Sequence, residues 1–130
     1  MWPFGRSKPL GRRGEQLARR HLVRSGLKIL ARNYRCPCGE IDVIALDRRP
    51  AQGLQGPAIV FVEVKTRCDD AWTDPSSAID SDKRRRIHKA AAYYLSQRDC
   101  TAYNVRFDVV SVVLRPGQPP QVEHIANAFG

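Results

Sequence analysis

No apolar run in this 130-residue chain approaches the ~20 residues that a membrane-spanning helix needs. The opening stretch MWPFGRSKP also lacks the ~7–15 apolar residues of a secretory signal. These two absences set the expectation of a cytoplasmic protein with no membrane role. Cysteine is sparse: Cys36, Cys38, Cys68 and Cys100 are the whole set. In a reducing compartment they are thiols. Cys36-Pro37-Cys38 is one residue short of a C-x-x-C knuckle, no second close pair follows, and His21, His88 and His124 are scattered. Structural zinc and an obligatory disulfide are therefore not expected. Internal repeats and low-complexity tails are absent too. Acid is the scarcer charge, with 13 Asp and Glu against 22 Lys and Arg, a formal net charge of +9 and a pI near 10.0. Such an excess suits a polyanion, nucleic acid before an anionic membrane, although it also serves solubility.

What is present is an ordinary apolar fraction of 42% in a length that suits one domain with a real core. Residues 1–130 read as a single unit, with 1–10 a flexible N-terminal segment. GRRGEQLARRHLVRSG reads as a helix, because Leu10, Gly14, Leu17, Ala18, His21 and Leu22 recur at helical spacing and Gly26 suits a C-terminal cap. Arg12, Arg13, Arg19, Arg20 and Arg24 occupy its other faces. LKILARNY reads as a first strand, broken by CPCG, and EIDVIALD as a second. The Gly- and Pro-rich stretch within 47–58 reads as a long hairpin loop, and IVFVEVKTR as a third strand. CDDAWTDPSSAIDSD has no sustained period and reads as a loop of functional length. A second helix starts near Ser81 or Asp82 and runs to about Arg98, with Ile87, Ala91, Tyr94 and Leu95 as its apolar stripe. NVRFDVVSVVL is a fourth strand, and QVEHI a short edge strand. The order α-β-β-β-α-β predicts an α/β fold: a mixed sheet flanked by helices, antiparallel over the first three strands and parallel between the third and fourth.

IVFVEVKTR raises a question, since an apolar strand has little reason to hold one acid and one base two residues apart. Side chains alternate along a strand, so Glu63 and Lys65 share a face, ~7 Å apart. Asp42 on the second strand shares a face with Ile44 and Leu46, and can lie beside Glu63 if the two strands pair. Two adjoining carboxylates repel and need a counter-charge. Mg²⁺ (or Mn²⁺) supplies it, commonly held by one or two carboxylates with water and a substrate phosphate. A neighbouring lysine can orient or deprotonate a water and can neutralise a phosphate. The competing reading is a structural Glu–Lys pair at a strand end, with Asp42 in a turn.

GRRGEQLARRHL, NYR, GEIDVIA, FVEVKTR, Lys83 with RIHKAAAYYL, RFDVV and HIANAF, in that order, resemble the YraN family. Its core resembles the PD-(D/E)xK nucleases of the restriction-endonuclease-like superfamily. The match runs from about Gly11 to Phe129. The resemblance implies that Asp42 and Glu63 are metal ligands and Lys65 the catalytic lysine. It also implies that Glu15 is a further acid facing the metal, where spacing alone reads a solvated helix residue. Glu40 belongs to the same match and either touches the site or ends the turn. By fold the chain also resembles archaeal Holliday junction resolvases, which makes branched DNA a candidate substrate by analogy. The implied function is metal-dependent hydrolysis of DNA phosphodiesters. The alternatives left open are a non-catalytic nucleic-acid-binding protein and an RNA-processing factor on the same fold, and a homodimer is allowed.

KRRRIHK, residues 83–89, either tracks a phosphate backbone or forms the solvated face of the second helix. Lys83, Arg84 and Arg85 are the nucleic-acid-binding candidates there, and Arg67 is another beside the acids. Trp72 either stacks on an unpaired base or pins its loop. Asp108 reads as a partner of Arg106 or of a neighbouring turn. Charges near a core cost stability unless balanced, so Glu63→Gln is expected to leave the metal-free fold as stable as before or slightly more so.

Overall fold

Side chains that alternate along the strands and recur at helical spacing along the helices fit a sheet covered on both faces. The computed structural model, which describes residues 8–49, 56–68 and 80–130 (backbone alone over 8–10), has that form. The elements are α1 (Lys8–Arg24), β1 (Lys28–Cys36), β2 (Gly39–Asp47), β3 (Ala58–Arg67), α2 (Ser81–Ser96), β4 (Asn104–Val113) and β5 (Gln121–Phe129). Residues 1–7 of the N-terminal segment, 50–55 of the hairpin loop, and Trp72 lie outside the described residues.

The five strands stand in chain order across one sheet. β1–β2, β2–β3 and β4–β5 pair antiparallel, and β3–β4 pair parallel through the α2 crossover. This is the expected mixed α/β sheet, with one extension. β5 continues from Gln121 to Phe129 where a short QVEHI strand was expected. Its register shifts between Phe107 and Val109 of β4, and Asn127 takes a positive φ of 53°. That local irregularity hides the strand from a period-2 reading.

The two helices take opposite faces. Ala18 and Leu22 of α1 pack with Val43, Ala45, Val60, Val62, Val64, Val110 and Val112. Ile87, Ala90, Ala91 and Tyr94 of α2 pack with Ile44, Ile59, Phe61 and Val109. Alternation along β3 therefore divides two cores, and Phe61 and Val60, both fully buried, belong to different ones.

Local chemistry sets the helix ends. Gly26 has φ +100°; its N–H donates to Val23 O (3.0 Å) and that of Leu27 to Leu22 O (3.0 Å), a Schellman closure. The N-cap of α2 is Asp80, where Ser81 or Asp82 was expected. Its Oδ1 accepts the Lys83 N–H at 2.8 Å, which a hydroxyl at Ser81 would meet one residue too late. Near the middle of α1, a Cβ on Gly14 would fall 1.9 Å from Thr66 Oγ1. Glycine there lets the helix lie directly on the end of β3.

Candidate active site

β2 and β3 stop pairing at Val43–Val62. Continuing that register sets Asp42 opposite Glu63. The next free donor, the Val64 N–H, is taken by the Asp42 carboxylate: Oδ2 accepts it at 2.8 Å. Strict alternation also breaks here, since Val43 packs on the α1 side and Ile41 on the α2 side. Asp42 thus sits at a twist where the strands part. It is half-buried and hydrogen-bonded to Glu63. Burial, then the neighbouring Glu63 carboxylate, push its carboxyl well above the usual range, with Glu15 adding to the rise.

Glu63 is buried, with only 6% of its side chain exposed, and two lysines meet it. Lys65 Nζ stands 3.8 Å from Glu63 Oε2. Lys83, brought by the first turn of α2, contacts the same oxygen more closely. The amines respond in opposite directions. Burial, then the adjacent Lys83 ammonium, hold Lys65 below the ordinary amine range, against the pull of Glu63 and Asp42. Burial alone would lower Lys83 as well, but the Glu63 carboxylate outweighs it and raises the group. Glu63 is therefore chiefly the partner of Lys83, and Lys65 is the amine left easier to deprotonate.

Asp42, Glu63 and Lys65 are brought together, and Glu15 approaches from α1 on the opposite face, near enough to act electrostatically on Asp42. The Gly14–Thr66 contact brings α1 to the end of β3, one residue beyond Lys65. Glu40 is not part of the group; it is exposed and pairs with Arg35 across the β1–β2 hairpin, 3.2 Å away. Arg67 ends β3, half-buried. Of the α2 candidates, Arg84 lies over the Phe129 ring at 5.9 Å, and Arg85 pairs with Asp82. The sequence placed Lys83 among the phosphate-facing residues. Its position against Glu63 depends on a contact between α2 and β3 that no local pattern encodes.

Among the described residues, no three His, Cys, Asp or Glu side chains form a ready metal cage. The adjoining Asp42–Glu63 pair nevertheless fits a hard divalent cation in its donor chemistry: both ligands are oxygen, and burial together with the neighbouring Glu63 charge raises the Asp42 carboxyl, the strain that a cation would relieve.

A second buried polar cluster is structural. Arg106 donates from Nε and Nη2 to the two oxygens of Asp108, both at 2.9 Å, and from Nη1 to Asp47 Oδ2 at 3.1 Å. His124 Nε2 lies 2.7 Å from Asp108 Oδ2, and the Asn127 N–H donates to Oδ1 at 2.9 Å. Asp108 thus ties β4 to the irregular end of β5. Of the two partners expected of it, Arg106 or a neighbouring turn, Arg106 is present; the backbone donor comes instead from Asn127 of β5, and His124 carried no signal in the sequence.

An α/β protein with a mixed five-stranded sheet between two helices, and an acid–acid–lysine set where its second and third strands part, fits the restriction-endonuclease-like architecture. The chain belongs to the family described as "Uncharacterised protein family UPF0102", which matches residues 14–112 and is the YraN family of the motif resemblance. It is 46% identical over 123 residues to a UPF0102 protein of Geobacter metallireducens, covering 95% of this chain and 93% of that protein. A UPF0102 protein of Syntrophus aciditrophicus is 44% identical over 119 residues, covering 92% and 87%. One of Nocardia farcinica is 40% identical over 125 residues, covering 96% and 92%. No helix among the described residues is long and apolar enough to cross a membrane.

Proposed function

We propose that this protein is a metal-dependent endonuclease that hydrolyses DNA phosphodiesters, with branched or otherwise structured DNA as the substrate class to test first. The observation that carries this reading is the Asp42–Glu63 carboxylate pair, rigidly held at the parting of β2 and β3 with Lys65 beside it. Asp42 and Glu63 would hold Mg²⁺ or Mn²⁺, with Glu15 behind them. When bound, that ion supplies charge stabilisation at the phosphoryl group and a water of lowered pKa.

The chain's own residues do the rest. The Val64 N–H fixes the Asp42 carboxylate, which limits its freedom to turn. Lys65 Nζ orients the attacking water and takes its proton, a task eased by its lowered pKa. The water oxygen forms the new bond to phosphorus, the phosphorus bond to the leaving oxygen breaks, and that oxygen is protonated from solvent. Lys83 stands near enough to the acids to meet phosphate charge once a cation engages Glu63, and Arg67, farther along the same strand, would meet a phosphate beyond the site.

The Lys83–Glu63 ion pair favours a second reading, in which two lysines neutralise the acids and the protein binds nucleic acid without cutting it. A cleavage screen over single-stranded, duplex, flap and four-way DNA, with matched RNA, in Mg²⁺, Mn²⁺ or EDTA, separates the two. Metal-dependent cleavage that Asp42→Asn abolishes supports the nuclease; binding with no cleavage of any substrate in any metal supports the second reading.

A further inference from the structure

Two adjoining hollows between α1 and β1 share Arg19 and Arg32. Arg12 and Arg13 extend the lining at one end, Arg20 and Arg24 at the other, and Glu15 is the one carboxylate along it. We infer that this groove is the track along which the phosphate backbone of a polynucleotide strand reaches the acid–lysine cluster. The inference deepens the nuclease reading and rests on it for where the strand leads, but not for binding itself.

Helical spacing builds the track. Residues 12, 16, 19, 20 and 23 recur at three and four positions along α1, so they form one face, and Arg32 faces them from β1. From Arg12 to Arg24 the helix rises about 18 Å, long enough for its arginines to meet several successive phosphates of one strand. The guanidiniums crowd one another: burial, then the neighbouring Arg32, lower the pKa of Arg19, with Glu15 opposing. A row of like charges at such spacing is relieved by a row of anions. Glu15 gives the track its destination, because it lines the groove and also acts on Asp42.

Much of the other basic stretch is engaged within the fold. On α2, Lys83 meets Glu63, Arg85 meets Asp82 and Arg84 lies over Phe129. α2 also covers the opposite face of the sheet from α1. An anionic bilayer is a poorer fit for the groove. Its apolar lining is limited to Val23 and Ile29, whereas interfacial helices present a broad apolar face with aromatic anchors.

The test is fluorescence anisotropy in EDTA, where cleavage plays no part, with a labelled duplex, its single strand and the matching RNA across a salt series. About five phosphate contacts give a slope of log K against log salt near −4 to −5 on duplex. Arg20→Glu/Arg24→Glu should weaken binding by ~10-fold or more and reduce the slope by about 2, while Arg85→Glu/Lys89→Glu on α2 should stay within about 3-fold. Arg20→Gln/Arg24→Gln, with folding followed by circular dichroism, gives the same readout should the reversal unfold the helix. Unchanged binding in the groove variants, an equal or larger loss in the α2 variant, or tighter groove-dependent binding to phosphatidylserine vesicles than to any oligonucleotide would overturn the track. Groove-dependent binding by a protein that cuts nothing keeps the track and removes the nuclease; wild-type cleavage and affinity in the groove variants do the reverse.

Discussion

Lys83, in the first turn of α2, meets the buried carboxylate of Glu63 in β3. This single ion pair ties the crossover helix to the strand that carries the site, and it places two ammonium groups around one acid. It also changes what an uncharged residue at position 63 should do. Considered as an unbalanced charge, Glu63 looked dispensable to the fold; considered as the partner of two lysines, it does not.

Glu63→Gln is therefore expected to destabilise the metal-free protein by about 1–3 kcal/mol, between the values for exposed and buried pairs because Lys83 is partly exposed. Adding Lys83→Met should recover part of the loss, since the amine left without its acid is then gone. Urea denaturation of the single and double variants checks this. Equal stability of Glu63→Gln and wild type would show that the pair contributes nothing to the fold.

Lys65→Ala should leave DNA affinity within a few-fold, because one phosphate contact among several is lost. It should nevertheless cut the cleavage rate by ~10²-fold or more, the scale of removing a proton-transfer or transition-state-stabilising group. Single-turnover cleavage beside anisotropy binding separates the two quantities. Undiminished cleavage would reduce Lys65 to a structural partner of Glu63.

Gly14→Ala should behave opposite to a helical glycine in solvent, where alanine is favoured by about 1 kcal/mol. The new Cβ meets Thr66 Oγ1 at 1.9 Å, Cγ2 at 2.8 Å and Cβ at 2.9 Å. Overpacking of this kind costs about 1–3 kcal/mol, and lifting α1 also moves Glu15 away from Asp42. Thr66→Ala removes the first two contacts and keeps the third, so it should rescue Gly14→Ala in part. Thermal melts of the four proteins in the cycle give the coupling, and additive losses would mean that α1 adjusts elsewhere.

Asp108 should make stability fall in acid. Burial pushes its carboxyl up, but bonds from His124, Arg106 and the Asn127 N–H outweigh it and hold the group below the usual range. A depressed folded-state pKa stabilises the fold above the unfolded value of ~3.9, and that contribution is lost as pH falls through the folded value. Asp108→Asn should cost about 3–5 kcal/mol near neutrality, because it leaves the Arg106 charge buried with one acid fewer. Its stability should also vary less with pH below ~4. Urea midpoints from neutral pH into acid report both effects, and parallel pH profiles for the two proteins would assign the acid sensitivity to other groups.

The placement of the site followed from residue order, because period-2 patterning put Glu63 and Lys65 on one strand face and Asp42 on the neighbouring strand. Glu15 is different: nothing in its spacing sets it apart from a solvated helix residue, and only the motif resemblance linked it to the acids. The structure supplies the physical connection, a glycine at position 14 that lets α1 touch Thr66. β5 was legible only to Ile125, since the positive φ at Asn127 and the register shift interrupt the alternation on which strand reading depends.

By itself the sequence determined the order of elements, the mixed sheet, the two apolar helix stripes and the acid–acid–lysine set, because each is written in periods of two or 3.6 residues along a short stretch of chain. Only the tertiary structure decided which charges meet. Lys83 lies 20 residues beyond Glu63 in the chain, Arg32 lies 13 beyond Arg19, and His124 lies 16 beyond Asp108. Their pairings depend on how helices and strands pack across one another, and Coulomb energy depends on distance in space and on burial rather than on separation along the chain.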